Sequence, residues 1–431
     1  NLINTLKLRA AYGTVGNRPS SLYPQYDLYS VNPAAGYNSV PGLLISQIGN
    51  KDLTWEETYT SGVGLDVAAF NNRLRLTVDY YIKNTDNLIF QRRTAPSTGI
   101  AIITVNDGQL RNSGLEFDVL AHLIKPKNPG DFTLDFGING EVLTNKITEM
   151  PIDPATGAPK ILDTSNEPYG WSNGSSIYDF YMPEWAGVDP ANGTALWYMY
   201  FNDANNDGIF NTGDTKIQSL TEYTNTNPDA AIGKTTTNVY ADATNKYVGK
   251  SVIPDVRGAF RISAKYKNFD LSTLIDAKMG GDIFSMTYMW GRYAGTLEES
   301  LIGRETGVIG NGVVSDGNGG YTPNNVVVDA KTFNQTAYDY SNFTESGVFD
   351  ASYVKLRQIV FGYSLPKKWL TGTFIQDFRV SVVGRNLAIL YKKVPHIDPE
   401  TGFSSANGEQ GQEFGQLPSA RTYGFNINIK F

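Results

Sequence analysis

Twelve residues, Asp203-Ala-Asn-Asn-Asp-Gly-Ile-Phe-Asn-Thr-Gly-Asp214, carry the clearest chemical spacing in the chain. Asp203, Asn205 and Asp207 supply oxygens at loop positions one, three and five, and Gly208 permits the sharp turn at six. Ile209 offers its carbonyl at seven, and Asp214 stands at twelve where a bidentate Glu is usual. Carboxylates spaced in this way converge on a hard cation, so the loop is a candidate structural Ca²⁺ site. The plain alternative is an acidic, glycine-rich surface turn. The sequence requires no other cofactor.

Seven aromatic residues lie just before that loop: Trp171, Tyr178, Tyr181, Trp185, Trp197, Tyr198 and Tyr200. Flat rings stack on sugar faces or grip peptide side chains, so together they are a candidate ligand platform. Loop packing or an interfacial aromatic belt explains any single ring equally well. Gly170-Trp-Ser-Asn-Gly174 spells a nucleophile elbow but lacks the preceding strand and following helix that would expose Ser172. Only His122 and His396 could act as its base, and His122 falls on the polar face of a strand. The match reads as coincidence, and nothing else in the chain suggests an enzyme.

The elements around these segments are strands. The chain has 431 residues, no Cys, 43 Gly, 26 Tyr and a net charge of −7. Disulfides and thiolate sites are therefore excluded, and the acidic balance argues against a nucleic-acid partner. Leu74, Leu76, Val78 and Tyr80 alternate with Arg75, Thr77 and Asp79, and Leu115, Phe117 and Val119 alternate with Glu116 and Asp118. A period of two gives one apolar and one polar face. Ten such strands are predicted, at 6–13, 59–69, 73–83, 113–124, 131–143, 258–267, 269–279, 353–364, 377–388 and 422–431.

The connections near residues 70, 127, 268 and 370 are short, whereas those at 14–58, 84–112, 144–257, 280–352 and 389–421 are long. The two kinds alternate. In an antiparallel meander this puts every short turn at one end and every long loop at the other, as in outer-membrane barrels. The last strand, Thr422 to Phe431, alternates to its final aromatic residue. An all-β antiparallel transmembrane barrel is thus predicted, with short periplasmic turns and long extracellular loops. Charges such as Arg75, Asp79, Glu116, Asp118, Arg261 and Lys265 would line its watery lumen or contact a plug. A β-sandwich with insertions would not confine its long loops to one end, and a propeller would show a constant repeat. Asp153-Pro-Ala-Thr-Gly157, Asp189-Pro-Ala-Asn-Gly193 and Asp398-Pro-Glu-Thr-Gly402 read as loop punctuation.

Several segments, in order, resemble SusC-like TonB-dependent transporters of Bacteroidetes-type bacteria. They are Leu6-Lys-Leu-Arg-Ala-Ala-Tyr-Gly-Thr-Val-Gly-Asn17, Asn50-Lys-Asp-Leu-Thr-Trp-Glu-Glu-Thr58, Asn72-Arg-Leu-Arg-Leu-Thr-Val-Asp-Tyr-Tyr81 and Gly108-Gln-Leu-Arg-Asn-Ser-Gly-Leu-Glu116. The stretch Tyr353 to Lys368, Gly384-Arg-Asn-Leu387 and the terminal strand continue the likeness. The resemblance implies a C-terminal barrel portion, roughly ten of about twenty-two strands. It also implies an outer-membrane location among lipid and lipopolysaccharide, with residues 144–257 as a large extracellular insertion.

Further implications are a SusD-like surface lipoprotein as lid, a TonB complex as energy source, and oligosaccharide or peptide fragments as cargo. The chain opens at Asn1 and enters a strand pattern at once, so the N-terminal strands, the plug and the partner of the last strand are expected upstream. The other function class is a barrel-anchored structural or adhesive surface protein without transport.

Overall fold

The computed structural model describes residues 2–19, 22–37, 40–93, 102–153, 156–163, 168–189, 194–310, 313–315, 321–339, 342–402 and 410–431. Parts of two Asp-Pro turns, 154–155 and 190–193, lie outside the described residues.

Ten long strands form one sheet. They are β1 (Ile3–Asn17), β2 (Glu56–Ala69), β3 (Leu74–Asp86), β4 (Gln109–Ile124), β5 (Thr133–Glu149), β6 (Pro254–Tyr266), β7 (Phe269–Gly280), β8 (Tyr353–Ser364), β9 (Asp377–Lys392) and β10 (Thr422–Lys430). Each pairs antiparallel with its sequence neighbour, so the sheet is an uninterrupted meander from β1 to β10. All ten predicted strands are present, and the four short connections lie together at one end. Phe70, Asn71 and Asn72 turn there with φ of 54°, 57° and 57°, and Lys267 does so at 53°. Among the described strands, β1 and β10 each have a single neighbour.

The register separates the two faces. Leu6, Val67, Leu76, Val119, Ile138, Phe260, Ile275, Leu356 and Ala388 sit directly opposite one another across nine strands. That row is apolar from end to end. On the other face, Arg9, Gly64, Asp79, Glu116, Glu141, Arg257, Lys278, Tyr353 and Lys392 form a comparable row. An apolar band outside and charge inside is the division a lipid-embedded barrel requires. No helix among the described residues is long and apolar enough to cross a membrane.

Most strands run further at the long-loop end than the sequence pattern indicated; β5, for example, reaches Glu149 rather than residue 143. The connection expected at 144–257 is accordingly 150–253. Buried volume concentrates on this side. Of the largest fully buried side chains (Tyr169, Phe180, Phe201, Phe284, Ile147, Met150, Met182, Met289, Glu413, Val394, Thr244 and Thr344), only Ile147 belongs to the ten strands. The long connections therefore fold into a cap with its own apolar clusters, one around Phe180, Met182, Phe284 and Met289 and another around Phe90, Val105, Ile147 and Met150.

Candidate functional site

The inner face of the sheet and the cap above it carry the charged and aromatic candidates. On the inner face, Arg9 of β1 donates to Asp66 of β2 (3.0 Å) and to Asp79 of β3 (2.9 Å). The second bond passes over Gly64, where a Cβ would collide with both partners. The same device recurs six strands on. Arg379 of β9 reaches Asp270 of β7 (2.9 Å) across Gly362 of β8, again with no room for a Cβ. Glycine at these two positions lets a cation and a carboxylate meet over the strand between them.

Between these pairs lies a recess of about 390 Å³, lined in part by Glu116, Glu141, Arg257, Asp276 and Tyr353. Arg257 pairs with Glu141. Arg75, Asp118, Arg261 and Lys265 share the inner face by strand parity. The charges the sequence reading assigned to the lumen are on one face.

At the long-loop end of that face, Lys355 of β8 is buried. Its ammonium pairs with Asp398 and, at 2.5 Å, with Glu400, both in the connection between β9 and β10. Arg357 joins Glu400 to Asp276 of β7 (2.6 Å). Burial alone would push the Asp398 carboxyl up. The Lys355 ammonium, the Ser419 hydroxyl and two backbone amides outweigh it and hold the carboxyl at about 2. Glu400 is held below its ordinary value by the same balance, with Arg357 and Lys355 opposing burial. Asp398 had read as turn punctuation. Its partner lies 43 residues away, and no local signal connects the two.

The seven aromatic candidates divide by position. Trp171 donates its indole N–H to the Ile177 carbonyl (3.0 Å) and meets Phe90 edge-on. Tyr178 packs on Tyr169. Buried Tyr181 shares a hydrogen bond with Ser219 (2.6 Å) and contacts Tyr247. Trp197 is buried between Trp185 and Tyr240, its indole N–H donated to Thr344 Oγ1 (3.1 Å).

Tyr198 and Tyr200 are different. The strand Ala195–Asn202 buries alternate residues and turns these two rings to its half-exposed face. Lys234 Nζ lies 3.4 Å from the centre of the Tyr198 ring, and Tyr200 donates to Glu184 (3.3 Å). Burial would raise the Glu184 carboxyl, but Lys246 and Lys234 hold it below its ordinary range. The structure thus brings two of the seven rings together with charged groups and places the other five in packing contacts.

The acidic loop is a hydrogen-bonded turn. Asp203 accepts from the amides of Asp207 (3.1 Å) and Gly208 (2.7 Å), and Asp207 accepts from Ile209 (2.8 Å). Asp214 accepts from Ala204 (3.0 Å) and Asn211 (2.8 Å). The Ile209 amide is the main reason that the Asp207 carboxyl sits below its ordinary value. Asn205 donates its side-chain amide to Asp207 (2.8 Å). Among the described residues, no three His, Cys, Asp or Glu side chains are placed to share a metal ion. The oxygen donors suit calcium in kind.

Ser172 of the elbow-like segment bonds Tyr247 Oη (2.7 Å), while His122 and His396 pair with Asp135 and Glu299.

An antiparallel meander with an apolar outer face, a charged inner face and a folded cap at one end is part of a transmembrane β-barrel. The chain belongs to the TonB dependent receptor-like, beta-barrel family, whose profile matches residues 1–277. Barrels of this family are outer-membrane proteins. Similar proteins include the TonB-dependent receptor P3 of Formosa agariphila, 29% identical over all of this chain and 40% of its own length. TonB-dependent receptor SusC of Bacteroides thetaiotaomicron is 23% identical over all of this chain and 38% of its own. The RagAB peptide importer in its closed-closed state superposes with a TM-score of 0.72 at 23% identity, over 100% of this chain and 41% of that one. The chain spans about two fifths of the length of these relatives. The relatives are receptors and transporters rather than enzymes, in line with reading Gly170 to Gly174 as coincidence.

Proposed function

We propose that this chain is the C-terminal barrel portion of a TonB-dependent importer that takes up oligosaccharide or peptide fragments. The observation that carries the reading is the inner face. A wall bearing Arg9, Asp79, Glu116, Glu141 and Arg257 opposite an unbroken apolar exterior suits a hydrated passage better than a passive anchor. Membership of the TonB-dependent receptor family supports it.

On this reading, further strands pair with the free sides of β1 and β10, because unpaired edge amides in lipid cost several kcal/mol each. A plug fills the lumen and receives the pull of the TonB complex. A SusD-like lipoprotein closes over the long-loop cap, and Tyr198 and Tyr200 offer rings to the cargo. The test is growth on the cargo with and without TonB. Import predicts loss of growth in the TonB-deficient strain. Uptake that persists without TonB would favour the adhesive, anchor-only alternative.

A further inference from the structure

A cleft of about 350 Å³ opens in the cap between α1 (Met286–Tyr293), the turn at Glu298–Leu301 and α2 (Ala330–Ala337). Three cations line it, Arg292, Arg304 and Lys331, together with Ser300, Asn334 and Gln335. Arg292 is only 8% exposed. Its guanidinium donates to Asn334 Oδ1 (2.8 Å) and Tyr288 Oη (3.2 Å), and lies 4.3 Å from the centre of the Tyr338 ring. Arg304 donates to the Ser300 carbonyl (3.0 Å), the Ser300 hydroxyl (3.2 Å) and the Gly295 carbonyl (2.5 Å). Every one of these acceptors is neutral.

Among the described residues, no ion pair includes Arg292, Arg304 or Lys331. Two acids are close by: Asp329, which itself lines the cleft, and Glu299, whose carboxylate lies within electrostatic reach of Arg292. Asp329 accepts from the Thr332 amide (2.9 Å) and hydroxyl (3.1 Å), and Glu299 is paired with His396 at 2.7 Å. Burying a guanidinium whose hydrogen-bond acceptors are all neutral is costly, and an incoming anion would offset that cost.

We propose that this cleft binds an anionic sugar unit of the cargo, a uronate carboxylate or a sulfate ester. The volume is at the lower end of small-ligand sites and suits a single ring with its acidic substituent. The lining favours a sugar over a peptide. Ser300, Asn334 and Gln335 offer hydroxyl and amide partners, while the remaining wall, Tyr293, Ala294, Gly295, Asp329 and Ala330, has one ring and no aliphatic side chain larger than alanine. Guanidinium groups bind carboxylate and sulfate oxygens through paired N–H donors, which fixes orientation as well as charge.

The inference rests on the import reading and narrows its substrate class. Its test is calorimetry on the full-length transporter in detergent, with four probes: an oligogalacturonate, a sulfated galactan oligosaccharide, a neutral galactan oligosaccharide, and a peptide with a free C-terminal carboxylate. At least one acidic sugar should bind ten-fold or more tightly than the neutral one, and the preference should shrink as salt is raised. Which acidic sugar binds distinguishes carboxylate from sulfate. The exposed pair Arg304→Gln with Lys331→Gln should lower acidic-sugar affinity ten-fold or more with an unchanged melting temperature. No acidic-sugar binding, equal affinity for acidic and neutral sugars, an unchanged double variant, or preference for the peptide would each overturn the proposal. Failure of the import reading looks different: acidic-sugar binding intact, with uptake that does not need TonB.

Discussion

Replacing Lys355 with Met should release the connection between β9 and β10 from the barrel wall. The Lys355 and Asp398 side chains are 3% and 2% exposed, so the substitution strands a buried carboxylate. Losing one partner of a buried pair costs about 3–5 kcal/mol. Asp398 keeps three donors, the amides of Glu400 (3.1 Å) and Ser419 (3.1 Å) and the Ser419 hydroxyl (2.5 Å), which places the loss at the low end. About 3 kcal/mol corresponds to roughly a 150-fold rise in the open population. Hydrogen exchange of amides in 393–402 reads that population, with 258–266 in β6 as internal control.

The double variant Lys355→Met with Asp398→Asn removes both charges while an amide oxygen remains to accept from Ser419, and Glu400 retains Arg357. Its protection should recover most of the loss, since no buried charge is left unpaired. Equal loss in single and double variants, or no loss in the single, would refute the reasoning. Acid gives an independent check. Asp398 has its carboxyl depressed from the ordinary 3.8 to about 2, so its contribution is complete above pH ~5 and fades as pH falls toward 2. Glu400, whose carboxyl is depressed from 4.5, acts in the same direction, so loop protection should be flat from neutrality down to about pH 5 and fall below it.

Gly362→Val drives a side chain into the Arg379–Asp270 pair and should destabilise the refolded barrel by ~1–3 kcal/mol, read from its melting temperature. Gly424→Ala, with open space around its Cβ, is the neutral control. Trp197→Ala should cost the cap ~3–5 kcal/mol, seen as faster proteolysis of the cap while the sheet persists. Tyr198→Ala disturbs only a cation–ring contact worth ~0.5–1 kcal/mol, so an effect on cargo affinity without loss of stability would mark it as a ligand contact. Chelation with EDTA should leave the melting temperature of the cap unchanged, because amides already satisfy Asp203, Asp207 and Asp214. A rise of several degrees on adding calcium would show that these carboxylates rearrange around an ion.

The sheet was legible because each strand's two faces meet different solvents. At Leu76 and Val78 one face is apolar for lipid, while Thr77 and Asp79 face water, and a period of two is unmistakable. The partners that build the site were not legible, for a reason of distance. Arg9 reads as one more lumenal charge until Asp66 and Asp79 are known to lie 57 and 70 residues on. On Ala195–Asn202 no alternation marks the strand, and nothing local distinguishes Trp197 and Phe201, which are buried, from Tyr198 and Tyr200, which are half-exposed. Both sets are aromatic, so hydrophobicity cannot assign the faces.

The strand ends missed at the long-loop side have a more specific cause, visible in β5. Asn139 and Glu141 belong to the inner face, and by parity so do Asn145 and Ile147. Within the membrane band that face is wet. Above it the cap rests on it, so Asn145 and Ile147 are buried while Thr144, Lys146 and Thr148 on the outer face are exposed. The polarity of the two faces exchanges where the strand leaves lipid, and an alternating pattern that exchanges sign midway loses its signal although the ladder continues. β8 enters the sheet through the same layer, with Tyr353 and Lys355 buried on the inner face above Gln358. Lumen wall and cap floor are therefore successive levels of one face. A side chain such as Lys355 that joins them ties the long connections to the wall of the sheet beneath them.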